Sequence, residues 1–177
     1  GTVVNNFDRV ATNNSGGTVD NNFGTVETNS GTVVNNFDRV ENNSGGTVVN
    51  NFGGDVCGGG TVENQWYEYI LNGGSYVSGS KQTTADDRTW IGKANEKDAN
   101  LGYYYITVAA NAGMTIDYAM INGKPVSYIT NADGSISFGD ISSAISIFFK
   151  QITNNNNNND NNNDDENTGN TYESSAD

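Results

Sequence analysis

Glu68, Asp86 and Asp87 are the side chains of this 177-residue chain that could carry acid–base chemistry. Two carboxyl groups flanking a glycosidic bond can cleave it, one as acid and one as base or nucleophile. Asp86-Asp87-Arg88 sits in a polar stretch, however, where aspartate is an ordinary loop residue. There is no histidine, which removes Ser-His-Asp, Cys-His and His-metal arrangements together. Cys57 is the sole cysteine, so neither an internal disulfide nor a thiolate metal cluster can form. Facing outward beside Gly58-Gly59-Gly60, it reads as an accessible thiol or, in the favoured reading, a half-buried, inert one at the end of a stack. The glycine runs lack the Gly-Lys-Ser/Thr of a phosphate loop. We therefore expect no catalytic residue, no metal and no cofactor.

A second group could bind rather than react. Trp66, Tyr67, Tyr69 and Trp90, with Tyr76, offer rings on which sugars could stack; the alternative is that they cap or fill a core. Charge narrows the partners further. The net charge is −13, and the cations are three arginines and five scattered lysines. Phosphate neutralisation needs clustered Lys and Arg, so nucleic acid and anionic membrane surfaces are disfavoured. No stretch approaches the roughly 20 apolar residues that cross a bilayer.

These residues must be held by something, and the first 60 residues supply it. Coils of 14 to 16 residues align as 1–16, 17–30, 31–45 and 46–60, each with Thr-Val-x-Asn-Asn-Phe and then x-Val. A short period of β-branched residues with Asn/Gly corners predicts a β-solenoid, in which no coil buries its face alone. Stacked at about 4.8 Å, four coils span roughly 20 Å. The expected core is three ladders: Val3, Val19, Val33 and Val48; Phe7, Phe23, Phe37 and Phe52; Val10, Val26, Val40 and Val56. Asn6, Asn22, Asn36 and Asn51 are placed at a corner, in left-handed backbone, with amide bonded to amide. Strand alternation puts Thr2, Val4, Thr18, Thr32, Val34, Thr47 and Val49 on the outer face. That face could dock a partner or act as a regular Thr array, as in ice-binding solenoids, or simply reflect strand propensity. Arg9 beside Asp8 and Arg39 beside Asp38 read as surface ion pairs. The chain opens within a repeat register, which reads as a fragment of a longer protein.

The aromatic segment 61–71 is expected to cap the stack. Strands are predicted over 103–109, 114–121, 125–130, 135–138 and 144–150, divided by Asn-Gly and Asp-Gly turns. Their core candidates are Tyr104, Ile106, Val108, Ile116, Tyr118, Ile121, Val126, Ile136, Phe138, Ile145, Ile147 and Phe149. The Asn/Asp-rich end has the composition of a disordered spacer. The organisation is thus all-β: a four-coil β-solenoid (1–64), a cap and connection (65–102), a small sandwich-like β module (103–152) and a disordered tail (153–177).

Asn-Ala-Gly-Met-Thr-Ile-Asp (111–117), Ile-Asn-Gly-Lys-Pro-Val (121–126), Asn-Ala-Asp-Gly-Ser-Ile-Ser-Phe (131–138) and Ile-Ser-Ile-Phe-Phe (145–149) resemble the small β-repeat modules of Gram-positive, internalin-like surface proteins. The coils likewise resemble bacterial adhesin stalks. The resemblance implies a secreted or cell-surface structural and adhesive protein, with cell wall, polysaccharide or a host surface protein as partner. A carbohydrate-binding module using the exposed aromatics is the alternative, and a fragment of a β-helical polysaccharide-active enzyme a remote one.

Overall fold

The computed structural model describes residues 1–84 and 86–153; the expected tail beyond Thr153 lies outside the described residues. Each coil contributes two short strands. They are β1 (Thr2–Asn6) and β2 (Arg9–Asn13), β3 (Thr18–Asn22) and β4 (Thr25–Asn29), β5 (Thr32–Asn36) and β6 (Arg39–Asn43), then β7 (Thr47–Phe52) and β8 (Asp55–Val56). Odd strands stack parallel and in register into one sheet, even strands into a second, so the rung is two-sided. Every coil therefore folds back once, at the Phe corner, and returns through a Gly/Asn/Ser turn.

Between the sheets lie Val19, Val26, Val33, Val40 and Val48, all fully buried. Phe7 and Phe23 do not join them, at 74 % and 39 % exposed, and Val3 in the first coil is 38 % exposed; Phe52 is buried as expected, but by Trp66 and Trp90 at the end of the stack. The inner places expected for Phe belong to asparagine. Asn6, Asn22, Asn36 and Asn51 are buried along one side of the valines, and Asn13, Asn29 and Asn43 along the other. Val-x-x-Asn recurs in both half-coils (Val19/Asn22 and Val26/Asn29), whereas Phe occurs in one half only. Two facing sheets need the same inner pair from each, and that symmetry marks Asn as the core residue. These asparagines are in strand, not left-handed, backbone; among the described residues positive φ outside glycine occurs at Asp87, Asn122 and Asp140. Glycine opens the coils at 31, 46 and 60 because a Cβ there would meet an Asn amide or the carbonyls of the coil before.

β9 (Thr61–Asn72) joins the two halves. Thr61–Trp66 make the fifth rung on β7, with Trp66 opposite Phe52. β10 (Gly74–Gly79), β11 (Lys81–Thr83) and β12 (Thr89–Ile91) follow, then β13 (Ile106–Ala110), β14 (Met114–Ile121), β15 (Lys124–Pro125), β16 (Ile129–Thr130), β17 (Ile136–Phe138) and β18 (Ile145–Gln151). The next two residues of β9 pair with β12, and Tyr69–Asn72 pair with β18 in parallel. One sheet thus runs β1-β3-β5-β7-β9-β18-β14-β15 without a break. A third sheet, β10-β13-β17-β16, packs on its far end. Their shared core holds Ile106, Val108, Phe138, Ile145, Ile147 and Phe149, together with Tyr69 and Ile91. Tyr118 is excluded. The register slips between Ile116 and Tyr118, and this bulge turns Ala119 inward and leaves Tyr118 stacked on Phe148 outside.

Candidate functional site

The Phe corner is a surface built by repetition. Phe7, Phe23, Phe37, Phe52 and Trp66 stack at centroid separations of 5.2, 4.7, 4.9 and 5.7 Å. Parallel in-register coils force this, since equivalent side chains repeat at the strand spacing of about 4.8 Å. Beside the rings runs an outward amide ladder: Asn21, Asn35, Asn50 and Asn64 each donate Nδ2 to Oδ1 of the preceding coil's asparagine, at 3.0–3.3 Å. The inner ladders point the opposite way. Asn6 donates to Asn22, Asn22 to Asn36, Asn36 to Asn51 and Asn51 to Gln65, at 2.7–2.9 Å.

The β11–β12 hairpin stands against this corner. Its tip is tied internally: the Thr84 hydroxyl and Arg88 Nε both donate to Asp86, and Trp90 Nε1 donates to Thr84 Oγ1 at 3.0 Å. These donors, Thr84 first and Arg88 next, hold the Asp86 carboxyl down at about 2. Asp87 takes positive φ in the same turn. Between hairpin and corner lies a groove of about 520 Å³.

The aromatics expected to bind sugar do not form one open platform. Trp90 is 2 % exposed, edge-on to Phe52 and under the Arg88 guanidinium, and Tyr69 is 8 % exposed in the module core. Trp66 has Phe52 on its ring, and Gly92 so close that any Cβ would strike it. Tyr67 is edge-on to Tyr104 at 5.3 Å. Stacking a sugar needs a free ring face; packing at the solenoid–module joint buries Trp90 and Tyr69 and covers Trp66, and Tyr67 is half-buried. Burial also holds the hydroxyl pKa of Tyr69 above the usual phenol value.

The carboxylates do not converge. Glu68 lies opposite Trp90 in the β9–β12 register, lining a different hollow from Asp86. Among the described residues no group of three His, Cys, Asp or Glu could hold a metal. Cys57 is exposed rather than half-buried, because β8 ends the even sheet and nothing stacks on it. Arg9 pairs with Glu27 and Arg39 with Glu41, not with Asp8 and Asp38. Chain neighbours in extended backbone point to opposite faces, so the partner comes from two residues on or from the next coil. Thr2, Thr18, Thr32 and Thr47 stand in one row on the outer face of the odd sheet, with Val4, Val34 and Val49 beside them; Asp20 interrupts the valines.

Sequence reasoning missed the groove, whose signal is the second asparagine of each Asn-Asn pair turning inward and the first outward. No protein-family model matches the chain, and neither the curated proteins nor the solved structures searched give a match.

Proposed function

We propose that the chain is a non-catalytic structural and adhesive element of a bacterial cell-surface protein, acting outside the cell. One observation carries the reading: the sheet that begins in the solenoid continues through β9 into the module. A backbone-bonded joint transmits load and fixes orientation, whereas two domains on a linker would swing independently. The solenoid then sets stand-off and direction, and the module and the Phe corner are what it presents. The partner on this reading is a cell wall, a polysaccharide or a host surface protein.

The test is a pull-down of the intact chain on bacterial cell walls, insoluble polysaccharides and host matrix proteins, with the supernatants assayed for new reducing ends and new amino termini. Adhesive presentation expects the chain to be retained on a surface that stays chemically intact. Release of product by the wild-type chain, lost in Asp86→Asn or Glu68→Gln, would overturn it in favour of an enzyme.

A further inference from the structure

The groove at the Phe corner has walls of distinct chemistry. Phe23 and Phe37 form one rail; their faces are taken up by the stack, so the groove receives apolar ring edges. Asn21 and Asn35 form a parallel rail of neutral amides. Each primary amide has two N–H donors and two acceptor lone pairs. In the ladder Asn35 spends one N–H on Asn21 and one lone pair on Asn50, leaving one of each to a ligand. Gln82, exposed on β11, adds a third neutral amide across the groove, and Asp86 at its rim is already paired with Arg88.

A ligand fitting these rails must be uncharged, must both donate and accept at short intervals, and must repeat along the solenoid axis. Hydroxyl groups meet the second demand. The rails repeat at about 4.8 Å, which excludes an extended peptide: its residues advance about 3.3 Å, and those on one side recur at about twice that. Pyranose rings in an extended chain come close to one per coil. Nucleic acids and acidic polysaccharides meet a net charge of −13 and a groove lining without Lys or Arg, the nearby Arg88 being engaged by Asp86.

We infer that this groove binds an extended neutral glycan lying along the solenoid axis, one sugar ring against each coil, with Asn21, Asn35 and Gln82 addressing its hydroxyls. The site is separate from the Trp/Tyr cluster of the joint and stands whether or not the chain is displayed on a cell.

The test is calorimetric titration of the full chain with hexasaccharides of β-1,4-linked glucose, N-acetylglucosamine and mannose, with polygalacturonate and a Thr-Val repeat peptide as the charged and peptide probes. The expected result is saturable binding of at least one neutral hexasaccharide at one per chain, and none of the other two probes. Gln82→Ala, on an exposed side chain, and Asn35→Ala should each weaken it about tenfold, the equivalent of one good hydrogen bond. Circular dichroism confirms that each variant is folded, and Gln82→Ala keeps the test decisive if Asn35→Ala is not. Binding unchanged in Gln82→Ala would overturn the site. Preference for the peptide or the polyanion would overturn the ligand class, and no binding of any neutral hexasaccharide would overturn both.

Discussion

Seven buried asparagines among the described residues do the work that a larger core would give to Leu and Phe. An amide is tolerable between two sheets only when its donors and acceptors are met, and stacking in register meets them. No buried side-chain nitrogen or oxygen among the described residues lacks a partner. Asn36 accepts from Asn22 and donates to Asn51, so Asn36→Ala orphans groups on both neighbours and opens a small void. Each stranded group costs about 1–3 kcal/mol, which predicts a loss of about 2–4 kcal/mol in urea denaturation. Phe7→Ala removes a larger side chain but one 74 % exposed, stacked on a single neighbour, and should cost about 1 kcal/mol or less. A larger loss for Phe7→Ala than for Asn36→Ala would return phenylalanine to the core.

The β11–β12 hairpin is the element most dependent on one residue. Its turn is locked by bonds to an ionised Asp86, whose pKa is lowered to about 2. A carboxyl whose folded pKa is depressed stabilises the fold at pH above its ordinary value near 4 and withdraws that support as pH falls through the folded value. Trp90 is tied to the same turn, so its fluorescence should hold steady down to about pH 4 and change as the pH approaches 2. In Asp86→Asn that acid step should vanish; an identical step in the variant would assign it to other carboxylates. Such elements mark the limit of what the residues disclose. The β14 strand, Met114–Ile121, has the bounds its alternation predicts, and the Asn122-Gly123 turn pairs it with β15. The expected 125–130 strand splits in two: Lys124–Pro125 stay on β14 as the return of the hairpin, and Ile129–Thr130 cross to β17 in the other sheet. β10 and β11 went unseen: six and three residues with no apolar alternation, they are strands because partners lie beside them. The groove was hidden for the same reason, as it needs Gln82, Thr83, Thr84 and Asp86 to reach back to coils far earlier in the chain.

The molecule as a whole is one sheet with two kinds of support. In the solenoid, each coil offers a pair of valines and one or two buried asparagines, too little to stand alone, so its stability must be borrowed from neighbours. The module has an ordinary two-sheet core and lends its order through β9, whose backbone bonds pass in sequence to β7, β12 and β18. Ile147 is fully buried on β18, opposite Leu71 of β9, and Ile147→Ala should cost about 2–5 kcal/mol. If β9 couples the halves, that loss should appear in the coils too. Amide exchange in β5 and β7 should speed up in the variant although no residue there touches the change. In the wild-type chain protection should rise from β1, whose coil is stacked on one side, toward β7. Urea curves followed by backbone dichroism and by tryptophan fluorescence should coincide. Two transitions, with coil exchange untouched by Ile147→Ala, would mean that the continuous sheet is only a geometric join. The chain would then be two independent bodies, and the rigid presentation argued from β9 would fail with it.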